Sequence, residues 1–305
     1  MKLNKTIVLM ILIIVTVSAV GYYYLRPKGI NIIRLATTTS VDNTGLLNYL
    51  KTYFENENPD INLTWVAVGT GQAIDIGTRG DADVVLCHYR PLEDQFIKDG
   101  YGINGVTIAY NDFIIVGPSN DTANVSSANN VVEAFRLIAN SGSLGNATFV
   151  SRGDGSGTNL KELDIWKAAG LNASNQAWYK ETGQGMSQTL TIADNLGAYT
   201  LTDRSTYISL TGKLKLKVIY ENDPSLLNFY RVIIVNPAKY PNLHSAEAEK
   251  FVMFLVSNEG QTLIGNYTKK GQKLFNPAFG KLTQLGVNDT YEDEQVIYWQ
   301  GKLKT

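Results

Sequence analysis

Residues 147–170, ATFVSRGDGSGTNLKELDIWKAAG, decide how this chain is read. The run 147–150 is apolar and strand-like. Leu160, Leu163, Trp166 and Ala169 recur at helical spacing, and Gly170 stands where a helix end favours glycine. Between strand and helix lies SRGDGSGTN, residues 151–159. A helix cap needs one hydroxyl; this loop offers Ser151, Ser156 and Thr158, with Arg152 and Asp154 beside them. The unit is strand, glycine-rich loop, helix, and its loop is richer than a cap requires.

The same alternation runs outward from it. An apolar run at 32–36 leads into Thr37-Thr38-Thr39-Ser40. Leu46, Leu47, Leu50, Tyr53 and Phe54 then follow at helical spacing up to Pro59. INLTWVAV alternates as a strand and opens into Gly69-Thr70-Gly71-Gln72 and a short helix; DADVVLCH is a further strand, and PLEDQFIKDG a helix with proline at its start and glycine at its end. Such alternation predicts an α/β chain with a parallel sheet covered on both faces. NDFIIVGP (111–118) and YRVIIVNP (230–237) mirror each other, each an apolar strand closed by proline, and are read as paired strands where the chain crosses between two lobes and returns. The expected divisions are an N-terminal segment at 1–29, lobe I at 30–113 plus 236–305, and lobe II at 114–235. A pair of C-terminal helices is expected from SAEAEKFVMFLVSNEGQTLIGNY.

The loops at 37–40, 69–72 and 151–159 share a composition and a position, each after a strand and before a helix. In open α/β sheets ligands gather at the carboxyl ends of strands. Helix N-termini present unpaired N–H groups and favour an anion. Singly, the first loop is explained by capping and the second by a turn; together they predict a site for a small oxyanion. The candidate contacts are Thr38, Thr39, Ser40, Thr70, Gly71, Arg152, Ser156, Gly157, Thr158 and Arg204. Arg152 supplies a planar fork suited to tetrahedral oxyanions. Asp154 is read as serving Arg152 or the backbone, since it would repel a dianion it faced. Arg204, beside Asp203 at a strand end, is equally explained by a surface ion pair.

Composition excludes other chemistry. The chain has 305 residues and a formal net charge of −1, with no long basic stretch, so nucleic acid is not expected as a partner. Cys87 is the one cysteine and His88 and His244 the only histidines, which disfavours disulfides, thiolate metal sites and a histidine metal site. No Gly-X-Ser-X-Gly elbow, Walker loop or Gly-X-Gly-X-X-Gly turn is present, and Ser156 has no evident base. The expectation is therefore no enzyme, no catalytic residue, no metal and no cofactor. At the N-terminus Lys2 and Lys5 precede an uncharged run at 6–25, followed by Arg26 and Pro27. This reads as a secretory signal or a retained membrane anchor, the length favouring the anchor, and puts the rest of the chain outside the cytoplasm. Asn62, Asn120, Asn124, Asn146, Asn172, Asn266 and Asn288 sit in Asn-X-Ser/Thr sequons, which an Asn- and Thr-rich surface also yields by chance.

TTTSVDNTGLL, VAVGTGQA, GDADVVLCH, YNDFIIVGP, SRGDGSGTNLKELDIW, GQGM and AYTLTDRSTY occur in this order. Together they resemble the tungstate-binding component of ABC transporters, over about residues 35–280. The resemblance implies a type II periplasmic-binding-protein fold, with two α/β lobes closing over tungstate in the cleft. It implies delivery to a membrane permease driven by a cytoplasmic ATPase, by a monomeric receptor. It places the oxyanion contacts on Thr38, Thr39 and Ser40 and on Arg152, Ser156 and Thr158. The family usually has aspartate where this chain has Gly155 and histidine where it has Asn159. Molybdate is too close to tungstate in size and charge for sequence physics to separate; phosphate and sulfate are the remaining alternatives within the fold.

Overall fold

A computed structural model describes residues 29–304 and Thr16. The segment read as a signal or anchor lies outside these residues save Thr16 and Gly29, and among the described residues no helix is long and apolar enough to cross a membrane.

In chain order the strands are β1 (Asn31–Thr38), β2 (Ile61–Val68), β3 (Val84–Cys87), β4 (Gly102–Gly117), β5 (Phe149–Ser151), β6 (Tyr179–Glu181), β7 (Thr200–Asp203), β8 (Lys217–Tyr220), β9 (Leu227–Val235), β10 (Thr268–Lys269), β11 (Gln272–Lys273) and β12 (Asn276–Pro277). The central sheet has the order β12-β4-β9-β3-β1-β2, with β7 and β8 also pairing β4, while β5 pairs β6 and β10 pairs β11 apart from it. Strands β1 (Asn31–Thr38), β2 (Ile61–Val68) and β3 (Val84–Cys87) are parallel to one another. The remainder is antiparallel: β3 with β9 (Leu227–Val235), β9 with β4 (Gly102–Gly117), and β4 with β12 (Asn276–Pro277), β7 (Thr200–Asp203) and β8 (Lys217–Tyr220). The sheet is thus mixed rather than parallel throughout, because β4 and β9 run opposite to the crossover strands.

Two cores flank each half of this sheet, and the period-2 pattern of the strands builds them. On β3 and β9, Val84, Leu86, Val232 and Ile234 face one cluster, while Val85, Cys87, Ile233 and Val235 face another. On the far half of β4, Phe113 and Ile115 join one cluster of the second lobe and Ile114 and Val116 the other. Strand β4 is 16 residues long and serves both lobes: Gly102 to Asp112 pair with β9, and Phe113 to Gly117 with β7 and β8. The mirrored motifs do meet in one sheet, but out of step. YRVIIV pairs with the residues before NDFIIV, and NDFIIV pairs mostly with β7 and β8, since β4 starts nine residues earlier than the motif.

The helices follow from local signals. In chain order they are α1 (Thr39–Asp42), α2 (Leu46–Glu57), α3 (Thr70–Thr78), α4 (Arg90–Lys98), α5 (Val131–Ser143), α6 (Gly157–Ala168), α7 (Met186–Leu196), α8 (Arg204–Ser209), α9 (Ser245–Val256), α10 (Asn258–Asn266) and α11 (Thr290–Lys302). For α5, the Asn130 side chain accepts from the Glu133 amide, and Val131, Ala134, Phe135, Ile138 and Ala139 form its buried stripe. Helix α6 departs from its expected stripe. Leu163 is exposed, and the buried positions are Thr158, Asn159, Glu162, Ile165 and Trp166. Polar groups occupy that face because they hold the preceding loop. Helix α11 carries no apolar stripe and was not apparent in the sequence; only Glu292 and Trp299 of it are buried.

Candidate functional site

The three glycine- and hydroxyl-rich loops converge. Each lies at the carboxyl end of a strand, before α1, α3 and α6 respectively, and the first two belong to one lobe while the third belongs to the other. A Cβ placed on Gly69 would sit 3.5 Å from the Asp154 carbonyl oxygen, and one on Gly71 would sit 4.0 Å from that of Gly155. At Gly157 the approach is closer: a Cβ would meet the His88 ring at 2.7 Å and the Thr70 hydroxyl at 3.0 Å. The two lobes are therefore in contact through backbone, and Gly157 has to be glycine for them to meet this way.

The loop at 151–159 is held by a network of its own. Ser151 donates to Glu162 Oε2 at 2.6 Å and accepts from the Gly153 amide and from Asn159 Nδ2. Asn159 Oδ1 accepts from the Gly155 amide at 3.0 Å. Glu162 also accepts from Trp166 and Tyr179, and burial raises its carboxyl to about 7. Gly155 has φ +67°, a left-handed conformation that glycine adopts without strain. Asp154 serves both partners foreseen for it: Oδ2 accepts from Arg152 at 2.6 Å, and Oδ1 from the Ser156 amide at 3.1 Å.

The candidate residues fall into three groups. Thr70, Arg152 and Thr158 are at most 2% exposed, and each has a polar atom with no hydrogen-bond partner: Thr70 Oγ1, Arg152 Nε and Thr158 Oγ1. The Arg152 fork also reaches across to Thr39 Oγ1 at 3.4 Å, and Gly71 and Gly157 bring backbone amides of the α3 and α6 N-termini to the same place. Thr38, Ser40 and Ser156 are buried but engaged. Thr38 bonds Ser40, Ser40 bonds His88 Nε2 at 2.9 Å, and Ser156 caps α6 by accepting from the Asn159 amide. Arg204 is held elsewhere, by Asp112 at 2.6 Å on β4 and by Glu221 at 2.5 Å; it ties α8 to the strand that joins the lobes. His88, at the end of β3, was set aside in the sequence for want of a metal or catalytic partner. Its signal was its place at the carboxyl end of a strand. Burial pushes it down to about 4, so it is neutral near pH 7.

The residues fit a small oxyanion. Orphaned buried donors cost about 1–3 kcal/mol each when left unmet, and here they gather on uncharged hydroxyls, helix N-termini and one guanidinium. No group of His, Cys, Asp and Glu able to hold a metal ion occurs among the described residues. A cavity of about 700 Å³ beside α10 includes none of the three loops and is lined by groups such as Gln261, Lys273 and Lys281.

Two lobes joined through shared strands, with apposed strand-end loops between them, define a two-lobed solute-binding protein. A family model described as the PBP superfamily domain matches residues 26–259. A Haloferax volcanii relative named as an ABC transporter anion-binding protein is 46% identical over 81% of this chain and 74% of its own length. The tungstate-binding protein TupA of Peptoclostridium acidaminophilum is 41% identical over 81% of this chain and 86% of its own. A crystal structure described as the tungstate ABC transporter from Geobacter sulfurreducens superposes with a TM-score of 0.70 at 44% identity, covering 77% of this chain and 98% of that one. The chain belongs to the PBP superfamily and, within it, to the family of these tungstate-binding proteins.

Proposed function

We propose that this chain is an extracytoplasmic receptor that captures tungstate between its lobes and delivers it to an ABC transporter permease and its ATPase, with no catalysis and no cofactor. In this reading lobe I comprises 30–113 and 236–305 and lobe II 114–235, except that β9 (Leu227–Val235), paired with β3 and the first part of β4, belongs to the sheet of lobe I. The receptor works as a monomer, tethered by its N-terminal segment or released after cleavage. The observation that carries the site is the convergence of Thr70 Oγ1, Arg152 Nε and Thr158 Oγ1, buried and unpartnered, from loops of both lobes. The family carries the choice of anion.

The physics is consistent with tight binding. Neutral hydrogen bonds contribute about 0.5–1.5 kcal/mol and charge-assisted ones about 1.5–3, so roughly six to eight contacts reach the ~12 kcal/mol of nanomolar binding. Phosphate is disfavoured because it keeps a proton near neutrality and needs an acceptor, and both Asp154 oxygens are already engaged. Calorimetry on the purified full chain tests the reading. Tungstate is expected to bind one-to-one, with phosphate and sulfate at least about a hundredfold weaker (roughly two such contacts). Arg152→Ala is expected to lose about tenfold or more, the equivalent of one charge-assisted contact. Absence of heat with both tungstate and molybdate would refute the function, and unchanged affinity in the variant would remove Arg152 from the site.

A further inference from the structure

Behind Ser40 runs a chain of hydrogen bonds whose direction is fixed from its far end. Asp203, fully buried at the start of α8, is a carboxylate and only accepts: from Ser205 at 2.5 Å and from the amide and hydroxyl of Thr206. Ser205 therefore spends its proton on Asp203 and accepts from Asn111 Nδ2. That turns Asn111 Oδ1 toward Asn228 Nδ2, at 2.8 Å, and Asn228 Oδ1 toward His88 Nδ1, at 3.1 Å. His88 must then carry its proton on Nδ1 and offer Nε2 as an acceptor. Ser40 donates to Nε2 and receives from Thr38. The polarity set at Asp203 thus crosses β4 and β9 and ends at the first anion loop, where it draws the Ser40 O–H away from the site.

The charge balance asks for the opposite. On the site proposed above, an unprotonated dianion would be buried beside Arg152, whose charge is already matched by Asp154 at 2.6 Å. Asp203 adds a negative charge behind His88 and favours its charged form, whereas burial and Arg152 oppose it. A buried anion of two charges needs a compensating cation nearby.

We propose that anion capture is coupled to uptake of one proton from solvent at His88 Nε2, which makes Ser40 an acceptor from the imidazolium and frees its O–H to donate to the anion. The other charged and titratable groups around the ring, Lys161 apart, are held by partners. Tyr230, its ring tilted by 36° at 5.1 Å between centroids, holds its phenol proton because burial raises it well above the ordinary range. Of the groups that line a cavity of about 160 Å³ beside the ring, Tyr89 donates to Asp164 and Arg90 pairs with Glu292 behind it. Lys161 lines that cavity from α6, and Glu93, protonated up to about pH 8, is bonded to the Tyr89 amide. Glu162, raised to about 7, also titrates near neutrality but reaches the anion loop only through Ser151 and Asn159, whereas His88 lies at the junction of the lobes and touches Ser40 directly.

The inference rests on the anion site proposed above, and one titration separates the two. Tungstate is titrated into the full chain at about pH 6.5 in buffers of differing ionisation enthalpy, the slope of heat against that enthalpy giving the protons taken up. Uptake approaching one proton per anion is expected, with affinity strengthening by up to about tenfold per unit as pH falls from about 8 to 6. In His88→Gln binding is expected to be weaker and without uptake. Should that variant not fold, the ring ¹⁵N shifts of His88 in the wild type, with His244 as internal reference, must change from neutral Nδ1–H to imidazolium on binding. Tight binding with no uptake, or a His88 ring that stays neutral, overturns the coupling and leaves the site standing. No binding overturns both.

Discussion

Gly157→Ala isolates the contact between the lobes. The new Cβ would lie 2.7 Å from His88 Cε1, 2.9 Å from Nδ1 and 3.0 Å from Thr70 Oγ1. His88 cannot turn aside cheaply, because both ring nitrogens are bonded, to Ser40 and to Asn228. Overpacking of this kind costs about 1–3 kcal/mol, and the cost falls only where the two loops meet. It converts to a loss of about 5- to 150-fold in affinity. Within its own lobe the substitution is benign. Gly157 begins α6 with ordinary helical φ, and alanine there gains about 0.4–1 kcal/mol over glycine by restricting the unfolded chain. Affinity should therefore fall while the melting temperature of the ligand-free protein holds or rises. Calorimetry with tungstate and a thermal melt give the two readouts. Gly301→Ala, where a Cβ meets nothing within 4 Å, is the control and is expected to change affinity by less than about twofold. Wild-type affinity in Gly157→Ala would refute the claim that these loops meet in the bound form.

Three further outcomes follow. Arg204→Ala is expected to leave tungstate affinity within about threefold, because Asp112 and Glu221 already occupy its fork; a loss of tenfold or more would return Arg204 to the anion site. Burial raises the Glu93 carboxyl from 4.5 to about 8, so its stabilising protonation is complete below the unfolded value and is lost as pH rises through 8. His88, pushed down to about 4, works in the opposite sense only below about 6.5. Thermal stability should therefore decline between about pH 6.5 and 8, Glu93 contributing at most about 1.4 kcal/mol per pH unit and Glu162, raised to about 7, adding to the slope only up to that pH, and Glu93→Gln should flatten the decline above about pH 7; an unchanged slope there would refute the assignment. Glu292→Ala removes acceptors from Arg90, from the fully buried Arg231 and from the Thr107 amide. A loss of about 3–5 kcal/mol is expected in chemical denaturation, and a loss under about 1 kcal/mol would show that Asp94 and Asp289 suffice for Arg231.

Legibility in the sequence followed the physical range of each signal. Strands with period-2 apolar residues, and helices such as α2 with a continuous apolar stripe, were readable because their patterning is local. The three weak loops come together because a shared position at strand ends is a topological regularity, not a property of any one loop. What escaped was non-local. Helix α11 is held by Glu292 against Arg231 and Arg90 and by a single buried tryptophan, so its sequence shows no amphipathic stripe. The early start of β4 escaped because its first residues lack a clean period-2 pattern: Asn104, at φ +51°, and Gly105 sit in an irregular register against β9. His88 had no partner in the sequence because its partners, Ser40 and Asn228, are 48 and 140 residues away. Leu163 was taken for core because apolar spacing cannot reveal that Asn159 and Glu162 are needed inward to hold the loop.

The distribution of unmet groups says how such a receptor can signal occupancy. Thr70 belongs to one lobe and Arg152 and Thr158 to the other. A ligand shifts a conformational equilibrium only by its differential affinity for the two states. An anion held wholly by the 151–159 loop would bind the open and apposed arrangements alike and shift nothing, however tightly it bound. Contacts from both loops give it that difference. Around the anion loops the contacts between lobes include Tyr89 with Asp164 at 2.9 Å, Arg152 with Thr39 at 3.4 Å and the packing of Gly157 on His88, and away from them Lys270 donates to the Thr211 carbonyl and Asn111 to Ser205. The exposed polar contacts among these are worth about 1 kcal/mol or less each, so an anion held by both lobes adds substantially to them. On the proposed site, the anion therefore strengthens closure, and a permease that recognises the apposed surface reads occupancy as well as presence of the receptor.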